Sequence, residues 1–284
     1  MTQKIIMNIS FVYLCIGSKW DSKIIEGFVV PENSVYHKFS VKMLGHYNET
    51  SGGSCSGTLI SPSFVLTAAH CLTLNKNTEW KNMEVSLHDP VTKKDTIFKV
   101  LNSIAHPNYG SGSKLPEIND LALLKLEAPV QNGNNFACLP NNDQDLFVGA
   151  NVTITGWGLT EVIVENAVEP KISDVLKSAF FIVIPNSVCS EIFDRKINEL
   201  VQQIIPGAHI PITVPHKIIC ADGQSTNSIA CKGDSGGLIS LNIIILNCLI
   251  YIILYSVSTS FQRFCAITVF LHHKRRLSVY GNNL

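Results

Sequence analysis

A net charge is missing from this chain of 284 residues: 22 Lys and Arg balance 22 Asp and Glu, and charged residues make up only 15%. Nucleic acid and anionic membranes recruit proteins through an excess of positive charge, so neither is expected as the main partner. Internal repeats, heptads and glycine-rich phosphate loops are also absent. Without such a loop there is no cradle for a phosphate, which sets aside kinase-like and dehydrogenase-like enzymes. No loop is acidic enough to argue for calcium, and no metal or organic cofactor is implied. Two further absences fall late in the chain. No Asp or Glu follows Ser235, and no charged residue of any kind lies between Leu238 and Phe261.

What is present fits an exported β protein. With 46% hydrophobic residues the chain can bury a full core, and its length suits one large all-β domain or two small ones. Nine cysteines are many for a reduced compartment. The start carries Lys4, a mostly apolar stretch from Ile5 to Ile16 and the small residues Gly17 and Ser18, the layout of a secretion signal over residues 1–18. A buried first strand is the alternative reading of that stretch. The N-glycosylation tripeptides Asn48-Glu-Thr50 and Asn151-Val-Thr153 agree with export. The expectation is a secreted, extracellular protein.

Between Ile24 and Leu241, short β-rich runs alternate with clusters of Gly, Pro, Asn and Ser; Ser56 to Leu66, Ile97 to Ala105, Leu121 to Leu126 and Asn151 to Trp157 are examples. That spacing suggests a sandwich or barrels. From Val188 to Ile204 the pattern changes: Val188, Ile192, Ile197, Val201 and Ile204 recur at roughly helical intervals, which predicts one surface helix.

Three separated blocks carry chemistry. Thr67-Ala68-Ala69-His70-Cys71, Asn119-Asp120-Leu121-Ala122-Leu123 and Gly233-Asp234-Ser235-Gly236-Gly237 supply an imidazole, a carboxylate and a hydroxyl. A serine hydroxyl is a poor nucleophile near neutral pH unless an imidazole takes its proton, and the imidazole needs an anion behind it to fix its tautomer and charge. His70, Asp120 and Ser235 are the candidates for those tasks in an acyl-transfer enzyme. Ser235 between Gly233 and Gly237 also satisfies the nucleophile-elbow pattern of the α/β-hydrolases, in which acid and histidine follow the serine. His272 or His273 could supply an imidazole, but no acid lies downstream, and the elbow reading fails.

In the order His, Asp, Ser, with these flanks, the chain resembles the trypsin and chymotrypsin family of serine proteases. The resemblance runs from Ile24 to about Ile239 and is carried by Ile24-Ile25-Glu26-Gly27, Cys55-Ser56-Gly57-Thr58-Leu59-Ile60, Leu66 to Cys71, and His106-Pro107-Asn108-Tyr109. Asn119 to Leu126, Ala137-Cys138-Leu139-Pro140, Thr155-Gly156-Trp157-Gly158 and Cys231 to Gly237 complete it. It implies an all-β fold of two antiparallel Greek-key barrels over residues 24–241, with His70 and Asp120 from the first barrel and Ser235 from the second. It also implies protein or peptide substrates, and protease inhibitors as partners. Ser235 would attack the carbonyl, His70 would carry its proton, Asp120 would hold the ring of His70, and the N–H groups of Gly233 and Ser235 would form the oxyanion hole.

The same resemblance makes residues 19–23 a short activation peptide. Cleavage after Lys23 by a Lys-directed protease would free the amine of Ile24 to pair with Asp234, so the intact chain should be a zymogen. Implied disulfides join Cys55 to Cys71 and Cys189 to Cys220. A further family bridge would span the positions of Val152 and Leu241, where both cysteines are missing; Cys138 and Cys231 have no assured partners, and Cys15 leaves with the signal. Ile229, six residues before the nucleophile, takes the position of the primary pocket floor, and an apolar side chain there favours cleavage after apolar or aromatic residues. The stretch from Glu199 to Lys217 is longer than its family counterpart and bears on the rim of the cleft.

After Ile239 the family pattern stops, and residues 242–284 form an apolar, then basic, tail that leaves the second barrel incomplete. Hydropathy reads the uncharged run as a membrane span; the other reading is a continuation through an unspliced or misread segment. The second is favoured, since a helix in lipid three residues beyond Ser235 would pull the site into the bilayer with backbone groups unpaired. Three expectations compete: a secreted serine endopeptidase, a catalytically inactive homologue that binds peptides or inhibitors or fails to fold, and a membrane-anchored protein of unrelated function.

Overall fold

The computed structural model describes residues 27–47, 52–75, 78–80, 82–109, 119–131, 136–137, 139, 148–158, 172–215, 218–223, 230, 233–241, 253–255 and 264–268. β1 (Phe28–Val29) leads to a 3-10 turn at Val35–Lys38, capped by Ser34, whose hydroxyl accepts the Tyr36 N–H. β2 (Ser40–His46), β3 (Gly52–Ser61) and β4 (Phe64–Thr67) form an antiparallel meander. The β-rich run from Ser56 to Leu66 is thus two strands, because Pro62 and Ser63 turn the chain between them.

A second 3-10 turn, Ala69–Leu72, and a ribbon of β5 (Thr73–Asn75) and β6 (Thr78–Glu79) follow. β7 (Asn82–Asp89) then returns beside β2, and β8 (Lys94–Ala105) and β9 (Ala122–Leu126) complete a closed barrel in the order β2-β3-β4-β9-β8-β7. The local order β7-β2-β3-β4 is a Greek key, with the fourth strand laid beside the first of three. Phe39, Val41, Met43, Leu59, Val65, Val85 and Leu124 fill the interior.

The second unit repeats the plan. β10 (Asn151–Gly156), β11 (Lys177–Ile184), β12 (Ile218–Asp222) and β13 (Leu238–Leu241) lie in the order β13-β10-β11-β12, again a Greek key. β1 pairs with the start of β11, Phe28 opposite Ser178. β14 (Ile253–Tyr255) and β15 (Phe264–Thr268) extend the sheet beyond β12, and among the described residues no ladder between β13 and β14 closes it. The fold is therefore the expected all-β pair, one barrel closed and the other open.

The uncharged run begins as sheet. Leu238 to Leu241 pairs with β10, Val152 opposite Leu241, and Leu238 and Ile239 are buried. Among the described residues no helix is long and apolar enough to cross a membrane.

The predicted helix is present as α1 (Asn186–Ile204), but its buried stripe differs from the periodic set read in the sequence. Cys189, Phe193, Ile197 and Val201 face inward, four residues apart, whereas Val188 and Ile204 are exposed. The disulfide from Cys189 to Cys220 on β12 turns that face toward the sheet.

The long segment after α1 folds back along it. Backbone N–H groups of Ile210, Ile212 and Val214 donate to Asn198 Oδ1 (2.6 Å), Asp194 Oδ1 (2.9 Å) and Ser190 Oγ (2.9 Å). Four helical residues rise about 6 Å and two extended residues about 6.6 Å. The helix side chains at every fourth position therefore match the amides at every second, while Ile212 and Val214 bury their side chains. The N–H of Ile212, aided by His209, holds the Asp194 carboxyl below the usual carboxylate range. Its contribution to stability is thus present above that range and lost as pH falls through the lowered folded-state value. Replacing Asn198 with Ala strands both the N–H and the C=O of Ile210, and we expect a loss of about 2 kcal/mol. Urea denaturation would measure it, together with faster amide exchange at Ile210 than at Val85.

Candidate active site

β4 ends at Thr67, buried Ala68 and Ala69 bring only methyl groups to the turn, and the 3-10 segment Ala69–Leu72 carries His70 directly after the strand. Cys71 next to it is bonded to Cys55 on β3, which ties the turn covalently to the neighbouring strand. Donor atoms of Cys55, His70 and Cys71 lie within 4.8 Å of one another. That closeness belongs to the disulfide, whose joined sulfurs have no thiolate to offer a metal.

Asp120 precedes β9 and follows Asn119, a left-handed residue with φ 57 whose side chain donates to the carbonyl of Asn108 at 3.2 Å. Asparagine tolerates that backbone because its short polar group bonds locally. The carboxylate of Asp120 is 1% exposed and both oxygens are spent on one residue: Oδ1 accepts the His70 backbone N–H at 2.8 Å and Oδ2 meets His70 Nδ1 at 2.7 Å. A carboxylate can only accept, so Nδ1 carries the proton and Nε2 of the neutral ring keeps a lone pair. The His70 side chain is 30% exposed, so its ring reaches solvent while its partner does not.

The third block forms a tight loop between the barrels. Gly233 (φ 97) and Gly236 (φ 77) are left-handed, a conformation glycine adopts without penalty. Ser56 on β3 braces the loop twice and the Gly-Trp-Gly block once: its N–H donates to the Ser235 carbonyl at 2.8 Å, its hydroxyl donates to the Gly233 carbonyl at 2.8 Å, and its Oγ accepts the Trp157 N–H at 2.9 Å. Thr67 Oγ1 donates to the Ser56 carbonyl at 3.0 Å, so the strand that leads to His70 holds the same residue. Cys71 Sγ lies 3.7 Å from His70 Nε2 and 3.8 Å from the Ser235 carbonyl oxygen, which puts His70 and Ser235 against one sulfur atom.

Asp234 is fully buried. Its Oδ1 accepts the Gly158 N–H at 2.7 Å, and a Cβ at Gly156 or Gly158 would come within 2.4 Å of the carboxylate. The Gly-Trp-Gly block therefore exists to admit that carboxylate. Both implied disulfides form. Lys23, Ile24, Ile229, Cys138 and Cys231 lie outside the described residues. In the sequence Ser56, Gly156 and Gly158 stand out only as parts of larger blocks; in the fold Ser56 braces the glycine loop and the two glycines admit the Asp234 carboxylate.

The Trypsin family model matches residues 24–243. The chain belongs to the trypsin family. Serine protease SSP1 of Scolopendra subspinipes is 32% identical over 236 residues, 78% of this chain and 69% of that protein. Human Granzyme M is 28% identical over 79% of this chain and 76% of its own length, and Venom serine protease 34 of Apis mellifera is 42% identical over 38% of this chain and 29% of its own. The solved structure described as "Structure of GrC" superposes with a TM-score of 0.60 at 19% identity, over 85% of this chain and 93% of that one, a likeness of fold.

The glycine loop separates strain from collision. A Cβ at Gly236 would lie 2.2 Å from Thr67 Oγ1 and 2.4 Å from the Ser56 carbonyl, whereas one at Gly149 (φ 91) meets nothing within 4 Å. Gly149→Ala is expected to cost about 1 kcal/mol from backbone strain alone, and Gly236→Ala about 3 kcal/mol or more. Denaturant midpoints of the two variants measured side by side check this.

Proposed function

We propose that this trypsin-family chain is a secreted serine endopeptidase, made as a zymogen, that cleaves peptide bonds through Ser235, His70 and Asp120. The observation that carries the reading is the buried carboxylate of Asp120 bonded to both the backbone and the ring of His70, on a turn that shares a sulfur contact with Ser235. Family membership and relatives named as serine proteases support it.

The chemistry follows from the proton inventory. Nδ1–H points at Asp120, so Nε2 carries the lone pair that is assigned to take the Ser235 proton as the hydroxyl oxygen adds to the carbonyl carbon of a peptide. The imidazolium that results faces a buried anion, which stabilises it, and it returns the proton to the leaving amine when the C–N bond breaks. Water then repeats the sequence on the acyl-enzyme. The N–H groups of Gly233 and Ser235 are assigned to the oxyanion, each worth roughly 3–4 kcal/mol in such sites.

Activation is assigned to cleavage after Lys23, with the new amine of Ile24 pairing with Asp234 in its glycine-lined seat. Ile229 at the pocket floor favours apolar or aromatic residues before the scissile bond, so the activating enzyme is a separate Lys-directed protease. Substrates are proteins or peptides, and protease inhibitors are natural competitors for the cleft. Venom protease and granzyme names among the relatives, with the leader-like start, support an extracellular destination. The second sheet, open among the described residues, favours one rival reading, an inactive homologue that only binds.

Trypsin-treated protein should react covalently with a fluorophosphonate and hydrolyse a peptide amide after Phe or Leu. Ser235→Ala should lose both activities, and Asp120→Asn should retain the fold with kcat lowered about 10⁴-fold. Folded, processed protein that neither labels nor hydrolyses is the inactive homologue. A Lys23→Gln chain should stay silent after the same trypsin treatment; full activity there overturns the activation step.

A further inference from the structure

The turn that carries His70 has only four residues, too few to fix its own direction against the barrel. One restraint on its far end is the bond from Cys71 to Cys55. Another is non-covalent: the indole Nε1–H of Trp80 donates to the carbonyl of Cys71 at 3.0 Å. The ring of Trp80 rests across the β2–β3 hairpin where Gly45 stands opposite Gly53. A Cβ on Gly45 would come within 2.5–2.8 Å of Cδ2, Cγ and Cε2, and one on Gly53 within 2.8–3.0 Å of Cη2 and Cζ2. The five-membered half of the indole therefore covers Gly45 and the six-membered half covers Gly53.

Two glycines facing each other are a weak place in a sheet, with maximal backbone freedom and no side chain to pack. An aromatic ring laid over them supplies the missing contact. Any side chain at either position would displace the ring, and with it the donor to Cys71. The three residues make physical sense together as a seat, a clamp and a target.

We propose that Trp80 is a positioning residue for His70, holding the Cys71 carbonyl so that the imidazole keeps its direction toward Ser235. The inference rests on the reading of His70 as the general base. A displacement of about 1 Å at a reacting group lowers rate by as much as about a hundredfold, so a restraint on a four-residue turn has leverage.

The test compares the full processed chain with Trp80→Phe, Trp80→Ala, Gly53→Ala and the Gly53→Ala/Trp80→Ala double variant. Two measurements are made on each: the rate of fluorophosphonate labelling at Ser235, and the solvent exchange of the His70 Nδ1 proton seen at low field by NMR. Trp80→Ala should label about tenfold to a hundredfold more slowly, with proton exchange at least tenfold faster. Trp80→Phe, which keeps one aromatic ring but loses the donor together with the five-membered half of the indole, should fall between it and the unsubstituted chain, and stands in where Trp80→Ala does not fold. Gly53→Ala should reproduce the loss alone and add nothing in the double variant, because the ring it collides with is gone.

Unchanged labelling and unchanged proton exchange in the Trp80 variants, with only thermal stability reduced, would overturn the inference. An effect of Gly53→Ala equally large with and without Trp80 would do the same. If the unsubstituted chain does not label at all, the endopeptidase reading fails, and the Nδ1 proton alone decides: faster exchange in Trp80→Phe supports the positioning role and unchanged exchange removes it.

Discussion

Ser56 is the residue on which the geometry of the site depends. Its side chain and backbone belong to the closed barrel, yet they bond the carbonyls of Gly233 and Ser235 and the N–H of Trp157, all from the second unit. Every one of these groups is buried, so each bond removed would leave a desolvated donor or acceptor at a cost of about 1–3 kcal/mol. The relative placement of Ser235 and the barrel that carries His70 is therefore enforced by the penalty for breaking the brace more than by the strength of any one bond.

The wider contact between the two units follows the same logic. Tyr36, in the turn before β2, bonds Ser240 on β13 at 2.8 Å, while Thr155 and Ser178 bond each other at 2.7 Å inside the second sheet, between β10 and β11. Small hydroxyl residues let backbones approach while keeping their own polar atoms satisfied. An apolar seam of the same area would hold the units together without specifying their register. The hydroxyls specify it.

Much of this could be read from the residues, for reasons that differ by element. The carboxylate, imidazole and hydroxyl blocks are legible because their chemistry demands those residue types, and the structure brings His70 and Asp120 into direct contact. Both disulfides followed from family position. The helix was visible by its period, and Ile197 and Val201 of its inward face with it, but Cys189 and Phe193 were not, because the bond at Cys189 sets the rest of that face. Two strands were merged into one run between Ser56 and Leu66, where the Pro62-Ser63 turn separates the short apolar stretches Leu59-Ile60 and Phe64 to Leu66. The return of residues 210–214 along α1 was hidden as well. It is built from polar side chains at positions 190, 194 and 198, whose meaning appears only when the amides they serve are in place. Trp80 was invisible for a similar reason: its partners are two glycines, and a glycine announces nothing about what covers it.

The bond from Cys189 to Cys220 encloses α1 and the exposed bend around Gly207 in one covalent ring. In surroundings rich in proteases, a cut in that bend would not release a fragment. The helix would remain tethered to β12, and a nicked molecule would travel as a single species until a reductant parted its two pieces.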